Sequence, residues 1–283
     1  MKISIVVPVY NEADSLKACL ESIAKQTKKA YEVIVVDNNS TDCTQDIARQ
    51  FSFVTLIEEP RQGVVHARTS GFNRAHGDII ARIDADTILP ANWLSVVESI
   101  FQDENIDAVS GLALYYGVAA AKLASQVDLF LRRKVSASLK KQNKMYLWGA
   151  NMAMRREAWQ ATKAYLCHRS HQHEDFDLAI HLQKQGFNII FHEGLQAMVS
   201  SRRIGMSFID YMHYVMMSPK TYSQHNIGVK KQMYPVVFVC AVFYLPGYIL
   251  YKGYNPITQR FSLSRLFLVS QSAQRVDPTI FVA

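Results

Sequence analysis

The sequence predicts an α/β fold: a mostly parallel sheet flanked by helices. Short β-branched runs alternate with helical patterns from residue 3 to residue 83. Three of those runs end in polar or acidic clusters. The 283 residues, 49% hydrophobic and 19% charged, suit one large domain or one domain with an appendage. That apolar content with mixed charge excludes an intrinsically disordered chain. With only 12 Gly and no long heptad run, collagen and coiled coil are excluded too. A mean hydropathy of -0.03 argues against a polytopic membrane protein but leaves room for one membrane-touching segment.

Residues 3–9 form a β-branched run of the kind found in buried parallel strands. Leu16, Leu20, Ile23 and Ala24 then fall on one face of a helix over 13–25. A second strand over 31–36 ends at Asp37, and Asn38 to Asp42 is a loop by composition. A short helix runs to about residue 50, and a third strand covers 54–58. A helix over 63–75 leads to a fourth strand over 79–83, ending at Asp84. In open α/β sheets, ligands bind beyond the strand C-termini. The clusters Tyr10-Asn11-Glu12, Asp37-Asn38-Asn39 and Asp84-Ala85-Asp86 are therefore expected to converge on one crevice. Farther on, 118–141 reads as a helix with a basic end, and Trp148 to Asn151 as a turn into a strand. A helix over 174–185 stops at Gly186, and a late strand covers 187–191.

Asp84 and Asp86 place two carboxylates two residues apart at a strand end, where they can share one hard cation. Mg²⁺ or Mn²⁺ prefers such oxygen ligands and keeps positions open for phosphate oxygens. A solvated acidic turn is the plain alternative for a bare D-x-D. The apolar strand and its βαβ context favour the cation.

Three blocks, Ser4 to Glu12, Val35 to Asp42 and Ala75 to Asp86, resemble the GT-A domain of family 2 glycosyltransferases in order, spacing and strand context. The resemblance covers roughly residues 3–200 and is nearly silent on the substrate. It implies that Pro8, Tyr10 and Glu12 line the nucleotide base and ribose, and that Asp37 hydrogen-bonds the base. Arg68 matches a basic residue facing the nucleotide. Asp84, Ala85 and Asp86 match the metal and ribose-diphosphate motif. Glu174-Asp175 resembles the family's E-D motif at a helix start, with Asp175 the expected general base. An acceptor hydroxyl must lose its proton as it attacks the anomeric carbon, and a positioned carboxylate can take it. Without the upstream blocks, an acidic pair favoured by the helix dipole explains the same residues. Trp148, Gly149, Ala150 and Asn151 resemble the loop approaching donor sugar and acceptor.

The chain also departs from the family pattern. The His of a V-x-H context is replaced by Ala197 to Arg203, so Arg202 or Arg203 is expected to meet the diphosphate. His192 lies several residues early. The Q-x-x-R-W signature of processive synthases is absent. His171, His173 and His181 have no thiolate or carboxylate at recognised spacing to complete a tetrahedral set, so no zinc site is expected. A dinucleotide oxidoreductase would need G-x-G-x-x-G, and a nucleotidyltransferase a Gly-rich loop after the first strand; neither is present. A non-catalytic binding protein is expected to lack at least one of Asp84, Asp86, Glu174 or Asp175.

The net charge of +7 is concentrated at one end. From Ser200 onward there are nine Lys/Arg and two acids, while residues 1–199 balance at 22 of each. The same tail holds 14 of the 31 aromatic residues. Residues 235–251 carry no charge, with Lys230, Lys231 and Lys252 flanking them. Seventeen residues lie near the lower limit for a span, and Pro246-Gly247 interrupts them, which favours a re-entrant or interfacial hairpin. The alternative is a pair of core helices. The expected organisation is a GT-A domain over 1–200 and a basic, apolar extension over 201–283, touching a membrane through residues 230–252. The dispersed basic residues and missing recognition motifs argue against nucleic acid. Four scattered cysteines and an N-terminal apolar run of about five residues, too short for a signal peptide, suggest a cytoplasmic protein at the inner face of a membrane. The expected partners are a nucleotide-diphosphate sugar donor and a glycan or lipid acceptor.

Overall fold

The computed structural model describes residues 1–140, 146–167, 172–227, 230–255 and 258–267. The first half alternates strand and helix: β1 (Ile3–Val9), α1 (Ala13–Ala24), β2 (Glu32–Asp37), α2 (Thr44–Arg49), β3 (Val54–Glu58), α3 (Val64–Arg74) and β4 (Ile79–Ile83). The second half is less regular: β5 (Thr87–Ile88), α4 (Trp93–Ile100), β6 (Ala108–Tyr116), α5 (Ala121–Lys140), β7 (Asn151–Arg155), α6 (Arg156–Thr162), α7 (Glu174–Lys184) and β8 (Ile189–Ser200). Two long helices follow, α8 (Phe208–Gln224) and α9 (Lys230–Gly253).

The sheet order is β3-β2-β1-β4-β7-β6-β8-β5. β3, β2, β1 and β4 are parallel neighbours, and so are β6 and β8. β7 is antiparallel to both β4 and β6, and β5 to β8. The sheet is therefore mixed, with its parallel part where the sequence alternates most clearly. Both faces of β1 are covered: Ile5 and Val7 pack with α1 and α4, and Val6 packs with α3 residues on the other side. Burial on two faces explains why β1 reads as a continuous apolar run rather than an alternating one. Gly186, at φ +88°, ends α7 in a backbone region open to glycine.

Two sequence expectations need correction. The late strand runs to Ser200 rather than to 191, because β5 and β6 both give it partners there. The stretch around 235–251 is not a hairpin: α9 continues through Pro235 and Pro246 for 24 residues. A proline costs a helix one N–H bond and introduces a kink rather than a compulsory end. The buried helix pair is not found either, since Phe238, Val242, Phe243 and Leu245 are exposed. His171 lies outside the described residues.

Candidate active site

The ends of β1, β2 and β4 meet at one sheet edge, as parallel strands in register require. The loop after β1 is zipped to the loop after β2. The Asn11 N–H donates to Ser40 Oγ at 3.0 Å, Thr41 N–H to Asn11 Oδ1 at 2.8 Å, and Glu12 N–H to Thr44 Oγ1 at 2.8 Å. Tyr10 is exposed at this rim and Pro8 is half-buried beneath it. Asp37 is buried. Its Oδ2 accepts from Ser40 N–H and from Gln45 Nε2, while its Oδ1 is buried without a hydrogen-bond partner. A buried carboxylate oxygen in that state is poised for a donor from outside the chain.

Asp84 and Asp86 follow β4. Ala85 between them turns into the core. The side chain of Asp84 is partly open and that of Asp86 largely buried. Burial raises the Asp86 carboxyl to about 6 even though Arg202 opposes the shift. Tyr116 Oη donates to the Asp86 carbonyl at 2.7 Å and steadies the turn.

Arg202 reaches this point because β5 pairs with the far end of β8, Thr87 opposite Val199. The short turn Arg202–Gly205 then starts beside Asp86. Arg202 Nε lies 2.8 Å from Asp86 Oδ2, and its two terminal nitrogens lie 2.9 and 2.6 Å from the Glu12 carboxylate. Arg203 stacks over the Tyr214 ring at 4.3 Å.

The second carboxylate pair opens α7. Glu174 is gripped by Arg82 Nη1 at 2.5 Å, and Arg82 Nη2 reaches Asp84 Oδ1 at 3.2 Å. One buried guanidinium thus ties the end of β4 to the start of α7. Burial alone would raise the Glu174 carboxyl, but Arg82 and Arg68 outweigh it and hold it down at about 2. Asp175 goes the other way: burial, and then the Glu174 charge, push its carboxyl up. Asp175 Oδ2 accepts from Gly149 N–H at 2.8 Å and Oδ1 from Phe176 N–H at 2.9 Å. A Cβ at position 149 would lie 2.5 Å from the Arg82 guanidinium, so a larger residue there must displace the loop or the guanidinium. Trp148 lies under Arg132, 4.2 Å from ring centre to guanidinium. Beside Tyr214, Met206, Asp210, His213, Met217 and Lys220 line an open cavity of about 580 Å³.

Two expected site residues lie elsewhere. Arg68 does not face the opening: it is fully buried, donates to the Glu174 carbonyl at 2.7 Å and packs against Trp159. Asn151 is also fully buried. Its amide donates to the Leu112 and Leu195 carbonyls and accepts from Trp93 Nε1, so no group is left for a sugar. Arg82, by contrast, lies within the third motif block but was given no role there. Its signal was a lone charge inside an apolar strand, which must find a partner once buried.

Residues 4–162 match the description "Glycosyl transferase family 2". The chain belongs to glycosyltransferase family 2. Among curated relatives, it is 36% identical to Glycosyltransferase AglE of Haloferax volcanii over 148 residues, which are 50% of this chain and 49% of that protein. It is 35% identical to the undecaprenyl-phosphate 4-deoxy-4-formamido-L-arabinose transferase of Serratia proteamaculans over 144 residues, 48% of this chain and 41% of that one. The family 2 chain thus spans about half the length, or less, of these relatives. Among solved structures, it resembles a mannosyltransferase of Pyrobaculum calidifontis in complex with GDP-Man and Mn²⁺. The TM-score is 0.64 at 20% identity, over 94% of this chain and 77% of the other. It also resembles glucosyl-3-phosphoglycerate synthase of Mycobacterium tuberculosis in complex with Mn²⁺, UDP-glucose and phosphoglyceric acid, at a TM-score of 0.55 and 21% identity over 80% of each chain. These likenesses establish the GT-A fold that the sequence blocks implied.

Proposed function

We propose that this protein is an inverting glycosyltransferase that moves a sugar from a nucleoside-diphosphate sugar to a hydroxyl or phosphate acceptor. The observation that carries the reading is the Asp84–Arg82–Glu174 bridge, which brings the E-D pair of α7 to the carboxylates after β4. Asp37, with its unpartnered Oδ1, suits the N–H of a nucleobase, and Pro8 and Tyr10 frame the base. The complexes of the two solved neighbours with GDP-Man and UDP-glucose support a donor of this class.

Asp175 is the general base. Backbone N–H groups hold both of its oxygens, fixing the carboxylate plane while each oxygen keeps a second lone pair. It takes the proton from the acceptor hydroxyl as that oxygen attacks the anomeric carbon from the face opposite the diphosphate, which inverts the configuration. Glu174, locked as a carboxylate by Arg82, is the weaker base and sets the position of its neighbour. Arg202 and Arg203 balance charge on the departing diphosphate. Trp148, Gly149 and Ala150 form the wall facing the sugar.

Asp84 and Asp86 fit Mg²⁺ or Mn²⁺: both offer carboxylate oxygen, and the Arg202 guanidinium already occupies a cation's place against Asp86. When bound there, the ion would offset charge on the diphosphate. The body over residues 1–200, joined by Arg202 and Arg203, binds the donor, and the remainder of the extension over 201–283 serves the acceptor. A lipid-linked acceptor is favoured by the relative that acts with undecaprenyl phosphate and by Met233–Gly253, a helix long and apolar enough to cross a membrane. The protein then works at the cytoplasmic face.

The test is a screen of purified protein against UDP-, GDP- and dTDP-sugars with Mn²⁺, reading free nucleotide, with Asp86→Asn and Asp175→Asn as controls. Nucleotide release from one donor class, lost in both variants, is expected. Release that persists in both, or none from any donor with lipid phosphate supplied, overturns the reading.

A further inference from the structure

Behind α7, away from the opening, four donor side chains from three parts of the chain face one another. Cys167 precedes the helix, Asp177 and His181 lie one turn apart on it, and His225 caps the end of α8. Their Sγ, carboxylate oxygen and ring-nitrogen atoms all lie within 4.8 Å of one another. Cys167 Sγ is 3.8 Å from His181 Nε2, His181 Nε2 is 3.6 Å from Asp177 Oδ1, and His225 Nε2 is 2.7 Å from Asp177 Oδ1. A tetrahedral zinc ion with bonds of about 2.0–2.3 Å has ligand-to-ligand edges of about 3.3–3.7 Å. The cluster needs only small side-chain adjustments to match that figure.

We propose that Cys167, Asp177, His181 and His225 form a structural zinc site that fastens the end of α8 to α7. The donor set is one thiolate, one carboxylate and two imidazoles, a combination of soft and borderline ligands that suits zinc better than Mg²⁺ or Mn²⁺. Four protein ligands leave no position for water, which marks a structural rather than a catalytic centre. The surroundings prepare the ligands. Asp177 Oδ2 accepts the Cys167 backbone N–H at 3.0 Å, which leaves Oδ1 for the metal. The two imidazoles meet edge to face, ring centres 5.0 Å apart, with both Nε2 atoms turned inward. Lys184 Nζ sits 3.4 Å from His225 Nδ1 and must swing away on binding, because that nitrogen then carries the ring proton. Binding releases the Cys167 thiol proton to solvent.

The position gives the site a purpose. Asp177 lies two residues beyond Asp175, about 200° round the helix, so the ion would brace the back of the turn whose front carries the E-D pair. It would also hold α8, which supplies Tyr214 beneath Arg203. The inference stands apart from the proposed transfer reaction, since none of its ligands belongs to the donor site.

The test is cobalt titration of the metal-free full chain, followed by zinc competition. A sulfur-to-cobalt charge-transfer band with intense tetrahedral bands in the visible, abolished by stoichiometric zinc, is expected. Cys167→Ser should remove the charge-transfer band, and His181→Ala should lower zinc content from about one per chain to near zero. An Asp84→Asn/Asp86→Asn double variant should keep both signals. Absence of the band in the wild-type chain, or its persistence in Cys167→Ser, overturns the proposal. The four groups would then be only a hydrogen-bonded cluster around the Asp177 carboxylate.

Discussion

Arg202 clasps Glu12, 190 residues earlier in the chain, through two side-by-side hydrogen bonds of 2.9 and 2.6 Å. Its third nitrogen holds Asp86 at 2.8 Å. One guanidinium therefore closes the edge between the turn after β1, the turn after β4 and the end of β8. Without donor it pairs with both the Glu12 and the Asp86 carboxylates. In the proposed reaction a metal ion held by Asp84 and Asp86 would compete with Arg202 for Asp86 and leave the guanidinium available to the diphosphate. Arg202→Gln is expected to weaken donor affinity by about tenfold or more, the scale of one lost charge-assisted hydrogen bond of 1.5–3 kcal/mol. Calorimetric titration of the donor with Mn²⁺ checks it. Unchanged affinity would leave Arg202 as a clamp of the free protein alone.

Asp175→Asn should retain donor binding and lose about 10²-fold or more in turnover, as expected for removal of a general base. Because burial and the Glu174 charge raise the Asp175 carboxyl, the acid limb of the wild-type rate profile should lie above the ordinary aspartate value of about 3.9. Steady-state rates across pH, with donor binding measured in parallel, decide it. Normal turnover in the variant would move the base elsewhere.

Glu174→Gln should act mainly on stability. It leaves the buried Arg82 half-paired, at a cost of about 3 kcal/mol near neutral pH. The sign with pH follows from the folded carboxyl being held at about 2, below its unfolded value. The ionised group stabilises the fold above the unfolded value of about 4.3, and that share is lost as pH falls toward 2. Denaturant melts should therefore show wild type and variant converging in acid. A constant gap across that range would mean the loss is packing rather than charge.

Gly149→Ala tests the close approach between the loop before β7 and the buried guanidinium. The new Cβ at 2.5 Å from Arg82 must displace either the loop or the ion bridge, so both turnover and melting temperature should fall. A destabilisation of about 1–3 kcal/mol is typical of overpacking. A variant with wild-type melting and turnover would show that the loop gives way freely.

How far the sequence spoke for itself depended on the distance over which each residue finds its partner. β1, β2 and β4 are legible because each is buried on two faces, and edge strand β3 because its connections are local. Asp84 and Asp86 are legible because the strand before them is. Arg202 against Glu12 is not, since it depends on β5 pairing with the end of β8, and β5 is two residues long. Asn151 shows the opposite failure: a motif position read as a sugar contact is spent on three core hydrogen bonds. Cys167 and His225 carried no spacing signal because α7, β8 and α8 all lie between them. Pro246-Gly247 suggested a break, but a proline inside a helix removes one hydrogen bond and leaves the rest of the ladder.

α9 supplies the last prediction. Met233–Gly253 is 21 residues, close to what a bilayer core requires, and only 11% of its apolar window is buried against the rest of the chain. Phe238, Phe243 and Leu245 point outward, while Tyr244 packs on Phe208 and Tyr211 and donates to the Met206 carbonyl at 2.7 Å. One side of the helix is thus anchored to the start of α8, and the other offers its apolar side chains to a non-aqueous medium. Full-length protein is expected to partition into vesicles of anionic phospholipid, to stay bound in high salt and to be released by detergent. Electrostatic attraction alone would be screened by salt, whereas apolar burial is not. Phe238→Glu with Phe243→Glu, two exposed positions whose change leaves the anchored side intact, should abolish salt-resistant binding while gel filtration and circular dichroism stay unchanged. A wild-type chain that remains monomeric without detergent and ignores vesicles would overturn the membrane reading of α9.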